Sequence, residues 1–276
     1  MGTARSDVLD LAGRLQAGGE DYCLVTVVRT ADATSAKAGA KAIVARDGTL
    51  TGFVGGGCVT GATRRAALDA LAHGAPRLIR VRPKDQVVAQ VDVDGIELHA
   101  SSCPSGGTVE LFLEPVRRAA RLVVAGASPI ATALATIGRS LGHHVVTAAL
   151  AEDHGRLPAA DAVLDGFDLA PLALDGRDAV VVATQGKRDR EALAAALLSE
   201  AGYVGMVGSR RKVATLTAQL ADRVPADRLA RLHGPAGLDI GAIEPEEIAL
   251  SILAELVRER RAGAALDEGA RITASR

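Results

Sequence analysis

The sequence predicts an α/β protein in two parts: an N-terminal α+β domain over residues 1–116, then a Rossmann-like doubly wound parallel-sheet domain over 117–262. Three observations predict it. Before residue 116, short strand-like runs are joined by Asp-Gly turns, at Asp47-Gly48 and Asp94-Gly95. After it, wholly apolar runs such as "DAVVVAT" (178–184) and "YVGMVG" (203–208) suit strands buried on both faces of a parallel sheet. Between those runs lie segments with helical patterning. Residues 263–276 read as a flexible tail.

In chain order, "MGTARSDVLDLAGRLQAGGED" reads as an amphipathic helix, with acids inside its apolar pattern and no signal-peptide core. "YCLVTVV" (22–28) is a buried strand, and "AKAIVARDGTLTGFV" (40–54) is a hairpin turning at Asp47-Gly48. "CVTGATRRAALDALAH" (58–73) is a helix. "VVAQVDVDGIELHA" (87–100) repeats the hairpin device, and "TVELFLEP" (108–115) is an alternating strand that stops at a proline. The second part then runs strand (121–126), helix (129–142) and strand (143–150), with further strands at 178–184 and 203–208. "RDREALAAALLSEAG" and "SRRKVATLTAQLAD" are helices. The closing helix spans 244–261, with Pro245 in its first turn and basic residues at its end.

Composition excludes several classes. Aromatic residues make up 2% of the chain and tryptophan is absent, so the core is built from Ala, Val, Leu and Ile and base-stacking platforms are lacking. A net charge of -1 offers no electrostatic grip on nucleic acid or an anionic membrane. No apolar run approaches the roughly 18 residues needed to cross a bilayer. A cytoplasmic protein is expected, with its three cysteines as thiols.

The chemistry concentrates at "FVGGGCVTGATRR" (53–65). Gly55, Gly56 and Gly57 allow backbone amides to converge, and the helix that follows adds free N–H groups and positive partial charge. A thiolate at Cys58 is favoured there, which makes an anion nest holding an ionisable sulfur, a possible soft-metal ligand or sulfur carrier. The alternative is a small buried cysteine after a tight turn. "SSCPSGGTVELF" (101–112) again places a cysteine, Cys103, beside a glycine pair, Gly106 and Gly107, so the two turns are read as two walls of one site. Neither has the C-x-x-C spacing of structural zinc. Cys23 lies in a strand and reads as core.

"GFVGGGCV", "CPSGGTVELFLEP" and "GPAGLDIGAIEPEEIALSILAELV" together resemble the XdhC/CoxI family, accessory proteins for molybdenum hydroxylases such as xanthine and carbon monoxide dehydrogenases. The resemblance spans about residues 8–261. It implies a chaperone that binds molybdenum cofactor, in its molybdopterin form or as the cytosine dinucleotide, and supports its sulfuration and insertion. An apo molybdenum hydroxylase is the implied client, with a cysteine desulfurase and a second copy of the chain as further partners. Two other readings stand beside it: an NAD(P)-dependent oxidoreductase and a cofactor-free scaffold for the client.

The Rossmann-like half departs from a dinucleotide fingerprint. "GASPIATALA" (126–135) keeps Gly126 and has Ala131 in the third place, but Ser128 replaces the glycine that admits a pyrophosphate to the backbone. The strand end "TAAL" (147–150) lacks a ribose acid, although Glu152 and Asp153 follow. NAD(P) is therefore not expected. In "GMVGSRRKVATL" (205–216), Ser209 is an N-cap and Arg210, Arg211 and Lys212 crowd the first helical turn, either as an anion grip or as a solvated coat. "TQGKRDRE" (184–191) and "HGPAGLDIGA" (233–242), with Gly237 and Asp239, are the other loops expected at the carboxyl edge of the sheet.

Overall fold

Side-chain alternation along the first strands decides how the N-terminal unit is layered. The computed structural model describes residues 3–32, 34–87, 89–102, 106–156 and 160–274. The chain divides into two compact units, Met1–Arg118 and Ala119–Arg276. The elements of the first are α1 (Thr3–Ala17), β1 (Tyr22–Ala31), β2 (Lys41–Ala45), β3 (Leu50–Gly52), α2 (Gly57–His73), β4 (Arg77–Pro83), β5 (Glu97–Ser101) and β6 (Thr108–Val116). They form a six-stranded sheet in the order β3-β2-β1-β6-β4-β5. Cys23, Val25 and Val27 of β1 join Ala42 and Val44 of β2 in a core with the alanines of α2. Tyr22 and Ile43 pack with Val8 and Ala12 of α1. Successive residues of a strand point to opposite faces, so α1 and α2 cover opposite sides of the sheet.

Small residues let α2 lie close to the strands: Ala62, Ala66, Ala67 and Ala70 are all buried. The helix stops at Gly74, whose φ of 71° places it in the left-handed region and whose amide bonds the Ala70 carbonyl at 2.7 Å. The Arg117 guanidinium donates to the Leu71 and Ala72 carbonyls at 2.9 and 2.7 Å, which satisfies further carbonyls at that end.

The Asp47-Gly48 hairpin forms as predicted, between β2 and β3. The second hairpin is reduced. Val91 and Glu97 make an isolated antiparallel bridge around the Asp92–Gly95 turn, whereas β5 takes β4 as its main partner and runs parallel to it. The extended parallel pairing offers five register positions and the bridge one, so the ladder to β4 prevails.

The second unit contains β7 (Arg121–Ala125), α3 (Pro129–Ser140), β8 (His144–Ala149), β9 (Ala162–Asp165), β10 (Ala179–Val182), α4 (Asp189–Leu198), β11 (Tyr203–Met206), α5 (Arg210–Leu220), α6 (Ala226–Leu229), β12 (Leu232–His233) and α7 (Pro245–Ala274). Its sheet order is β12-β11-β10-β7-β8-β9 and every pairing is parallel. Counted within the unit this is 6-5-4-1-2-3, the Rossmann order, with its switch point between β7 and β10. One face of the sheet packs Val123, Val146, Val180 and Val204 against α4 and α5. The other packs Leu122, Val124, Val145 and Val181 against α3 and α7. The strands β9 and β12 are not predicted by the sequence: β9 is largely exposed and β12 has two residues, so neither carries an apolar run. Helix α7 extends to Ala274 and so runs through the stretch from 263 that reads as a tail in the sequence.

Candidate functional site

The glycine turn of the first unit leads into α2 with Gly56 as N-cap, and no side chain caps the helix. The first amides of a helix have no partner within it, so this end stays open to an anion. Gly55 sits at φ 143°, and a Cβ there would meet the Cβ of Val59 at 2.9 Å. A Cβ on Gly56 or Gly57 would meet nothing within 4 Å. Gly55 is thus fixed by conformation and close packing, whereas Gly56 and Gly57 leave space.

Cys58 follows in the first turn, partly exposed, with its Sγ 3.5 Å from the Ser102 hydroxyl. Bonds from the Ser102 and Ser101 side chains, and from the Ser102 backbone, hold its thiol below the ordinary range. Sequence alone points to the helix end as the cause; the serine pair at the end of β5 is the stronger one. That pair stands in the "SSC" run, where the cysteine is the conspicuous residue and the serines carry no signal of their own. Ser101 and Ser102 also line a cavity of 510 Å³ with Pro83, Lys84 and Asp85. Cys103 lies outside the described residues, so the two-walled reading is met by its neighbour Ser102. Gly106 has a φ of 69° and, with Gly107, leads into β6. Cys23, by contrast, is fully buried, and its thiol is pushed up to about 12 by desolvation.

No cluster of three His, Cys, Asp or Glu side chains gathers to hold a metal among the described residues. An uncapped helix end, open space over Gly56 and Gly57, and a thiol disposed to ionise fit a ligand that carries both an anion and a soft centre.

In the second unit the carboxyl ends of β7, β8 and β10 surround a cavity of 80 Å³ lined by Gly126, Ser128, Leu150, Asp153, Phe167, Lys187 and their neighbours. Gly126 has a φ of 120°, and a Cβ there would stand 2.6 Å from the Ala183 carbonyl oxygen. Ser128 is the N-cap of α3 and accepts from the Ala131 amide at 3.1 Å. Pro129 follows and carries no N–H. The helix end that holds a pyrophosphate in a dinucleotide site is therefore largely closed here, a constraint the glycine count alone does not reveal. Asp153 is nearly buried, and Lys187 Nζ donates to both its oxygens at 3.0 and 3.1 Å.

Ser209 caps α5 as predicted, accepting from the Lys212 amide at 3.2 Å. The three basic residues behind it divide. Lys212 pairs with the buried Asp189 at 2.6 Å. Burial opposes the Asp189 carboxylate, but bonds from Lys212, Thr184 and the Gly186 amide outweigh it and lower its pKa. Arg210 and Arg211 are exposed, with no ion pair to any described residue. Gly237 has a structural reason to be glycine: its φ is 108°, and a Cβ would press on Ser251 and Ile252 of α7. Its amide and the Tyr203 hydroxyl both donate to Glu255, at 2.9 and 2.7 Å, and His233 stacks on Tyr203 with centroids 4.5 Å apart. Asp239 lies exposed on the same loop.

A Rossmann-order sheet behind an α+β unit with a glycine–cysteine turn defines a two-unit α/β binding protein. Residues 122–256 match the family described as the XdhC Rossmann domain, and residues 15–82 match the XdhC and CoxI family. The chain belongs to the XdhC and CoxI family. It is 33% identical over 226 residues to the uncharacterized protein YqeB of Escherichia coli K12, covering 79% of this chain and 40% of that one. It is 29% identical over 161 residues to a probable xanthine dehydrogenase subunit of Bacillus subtilis 168, covering 56% and 47%. The chain thus spans less than half the length of these relatives. A crystal structure described as a xanthine dehydrogenase from Bacillus halodurans is 22% identical, with 94% of this chain and 96% of that chain covered and a TM-score of 0.45. No helix among the described residues is long and apolar enough to cross a membrane.

Proposed function

We propose that this protein is a cytoplasmic maturation chaperone that holds molybdenum cofactor and supports its sulfuration and insertion into an apo molybdenum hydroxylase. The observation that carries the reading is the Cys58 thiol, disposed to ionise at an open glycine turn in a chain of the XdhC and CoxI family. When bound, the cofactor supplies a phosphate, a molybdenum centre and an exchangeable sulfido ligand. The amides at the start of α2 suit an anion, and the Cys58 thiolate suits a soft centre or a sulfur atom. Arg210 and Arg211, without an ion pair to any described residue, offer guanidinium groups to a phosphate.

As a sulfur carrier, Cys58 would act with a cysteine desulfurase. Its thiolate attacks the outer sulfur of the donor's persulfide, forming a Cys58 persulfide as the donor's S–S bond breaks and the donor leaves as a thiolate. A homodimer is a further expectation of this reading.

The test is metal analysis and mass spectrometry of protein purified anaerobically from a molybdenum-replete host, wild type beside Cys58→Ser. The expected result is molybdenum and pterin in the wild type, their loss in Cys58→Ser, and similar melting temperatures. Equal retention in the two proteins removes Cys58 from the reading, and cofactor absent from both removes the reading itself.

A further inference from the structure

We infer that the cavity between β7, β8 and β10 is a binding site for a ribosyl monophosphate, the common part of nucleoside 5′-monophosphates, and that the Lys187–Asp153 pair latches it in the ligand-free state. The cavity stands at the switch point of the sheet, where open α/β folds take their ligands. The loops that follow β8 and β10 are tied across it by Lys187 Nζ, which bonds both oxygens of Asp153. Lys187 is 52% exposed along its side chain and Asp153 only 9%, so the lysine is the member free to swing outward. Glu152 lies 3.8 Å from the same Nζ but is exposed, and solvent screens it.

A ribosyl monophosphate exchanges one set of partners for another. Its phosphate takes Lys187, and its ribose hydroxyls donate to the carboxylate that Lys187 leaves. Each buried polar group keeps a partner, which is the condition for opening such a pair at low cost. The donor count sets the number of phosphates. With Pro129 lacking an N–H and the Ala131 amide held by Ser128, Ile130 is the amide left in that first turn. One phosphate can be served by Lys187 and that amide, whereas a pyrophosphate lacks donors. The loop after β10 is also conformationally unusual. Gln185 and Arg188 hold φ values of 54° and 55°, a left-handed backbone that non-glycine residues adopt rarely and that concentrates at binding sites.

This site is independent of Cys58 and of the cofactor reading. If the cofactor is carried as its cytosine dinucleotide, its cytidine monophosphate half is a ligand of the proposed class.

The experiment is calorimetric titration of the full chain with CMP, AMP, dCMP, cytidine and NAD. Wild type should bind CMP and AMP, with cytidine, dCMP and NAD each weaker by about tenfold or more. Lys187→Gln should erase the preference for CMP over cytidine, and Asp153→Asn the preference for CMP over dCMP. A wild-type protein that binds no monophosphate at about 1 mM, or that binds NAD more tightly than CMP, overturns the inference. So does Lys187→Gln binding CMP as tightly as wild type. Should either variant fail to fold, the wild-type ranking of CMP over cytidine and dCMP decides alone. Cys58→Ser should bind CMP normally, so failure here is separable from failure of the cofactor reading.

Discussion

Helices α2 and α3 both begin at glycine-bearing turns after a strand, and they begin in opposite states. At α2 the N-cap is Gly56, no side chain closes the end, and Cys58 projects from the first turn. At α3 the N-cap is Ser128, its hydroxyl holds the Ala131 amide, and Pro129 has no amide to offer. Glycine also does different work in the two turns. Gly126 is forced by backbone contact with the neighbouring strand end, whereas Gly56 has open space where a Cβ would stand. A glycine-rich turn into a helix is therefore not a binding site by itself. What matters is whether the first amides are left open and what stands beside them.

The largest expected effect separates these two glycines. Gly126→Val places a Cβ 2.6 Å from the Ala183 carbonyl and 2.7 Å from the Thr184 Cα, at a φ of 120° that valine resists. Neither obstacle is a side chain that can swing away, so the loss should be roughly 2–4 kcal/mol. Gly56→Ala, at φ -69° with nothing near, should stay within about 0.5 kcal/mol of wild type. Thermal melts of the two variants check this. Similar losses in both would break the distinction drawn between a packed and an open glycine.

The fold was more legible in the sequence than the sites. Asp47-Gly48, the apolar runs of β7, β10 and β11, and Pro245 at the start of α7 are local signals, and each marks its element. The strands β9 and β12 take their identity from the sheet edges they extend, which no local pattern records. The same limit applies to the sites. Cys58 and Ser209 are visible as residue types at helix starts. Ser102 beside Cys58, Asp189 under Lys212 and Asp153 under Lys187 are partnerships across loops that only folding creates.

Lys212 and Asp189 give the next effect. Lys212→Ala leaves a buried carboxylate with Thr184 and the Gly186 amide but without its ammonium, and should cost about 1–3 kcal/mol at neutral pH. The pH dependence has a definite sign. Asp189 titrates lower folded than its ordinary 3.8, so its contribution is present above that value and is lost as pH falls through the lowered one. The variant should therefore lie closer to wild type in strong acid than at neutral pH. An equal gap at both would dissociate Lys212 from Asp189.

A smaller effect, read in rate rather than stability, tests what stands beside the open end of α2. Alkylation follows the thiolate, so Cys58 should react near neutral pH while Cys23, buried with its thiol near 12, stays protected until the protein unfolds. Ser102→Ala removes the first cause of the lowered Cys58 pKa, and its pH–rate midpoint should move upward. Ser101→Ala should move it the same way by less. A midpoint unchanged in both would assign the lowered pKa to the helix end alone.

The smallest change in stability is expected at α5, a third helix start that combines both states. Ser209 closes its cap, yet Arg210 and Arg211 stand exposed without a described ion-pair partner, against the positive end of the helix. Lys212 has its anion in Asp189; the two arginines have none among the described residues. Removing either relieves repulsion worth about 0.3–1 kcal/mol, so Arg210→Ala and Arg211→Ala should each melt slightly higher than wild type. If a cofactor phosphate is their missing anion, affinity for that cofactor should fall by about 1.5–3 kcal/mol for each charge-assisted bond lost. The two measurements move in opposite directions, which sets these arginines apart from Lys212, whose loss should lower stability. At least one of the pair should show the loss of affinity, because the β11–α5 loop stands at the carboxyl edge of the sheet. Melting points raised in both variants with affinity unchanged would make the pair a solvated coat, and would leave the open end of α2 as the anion site that remains.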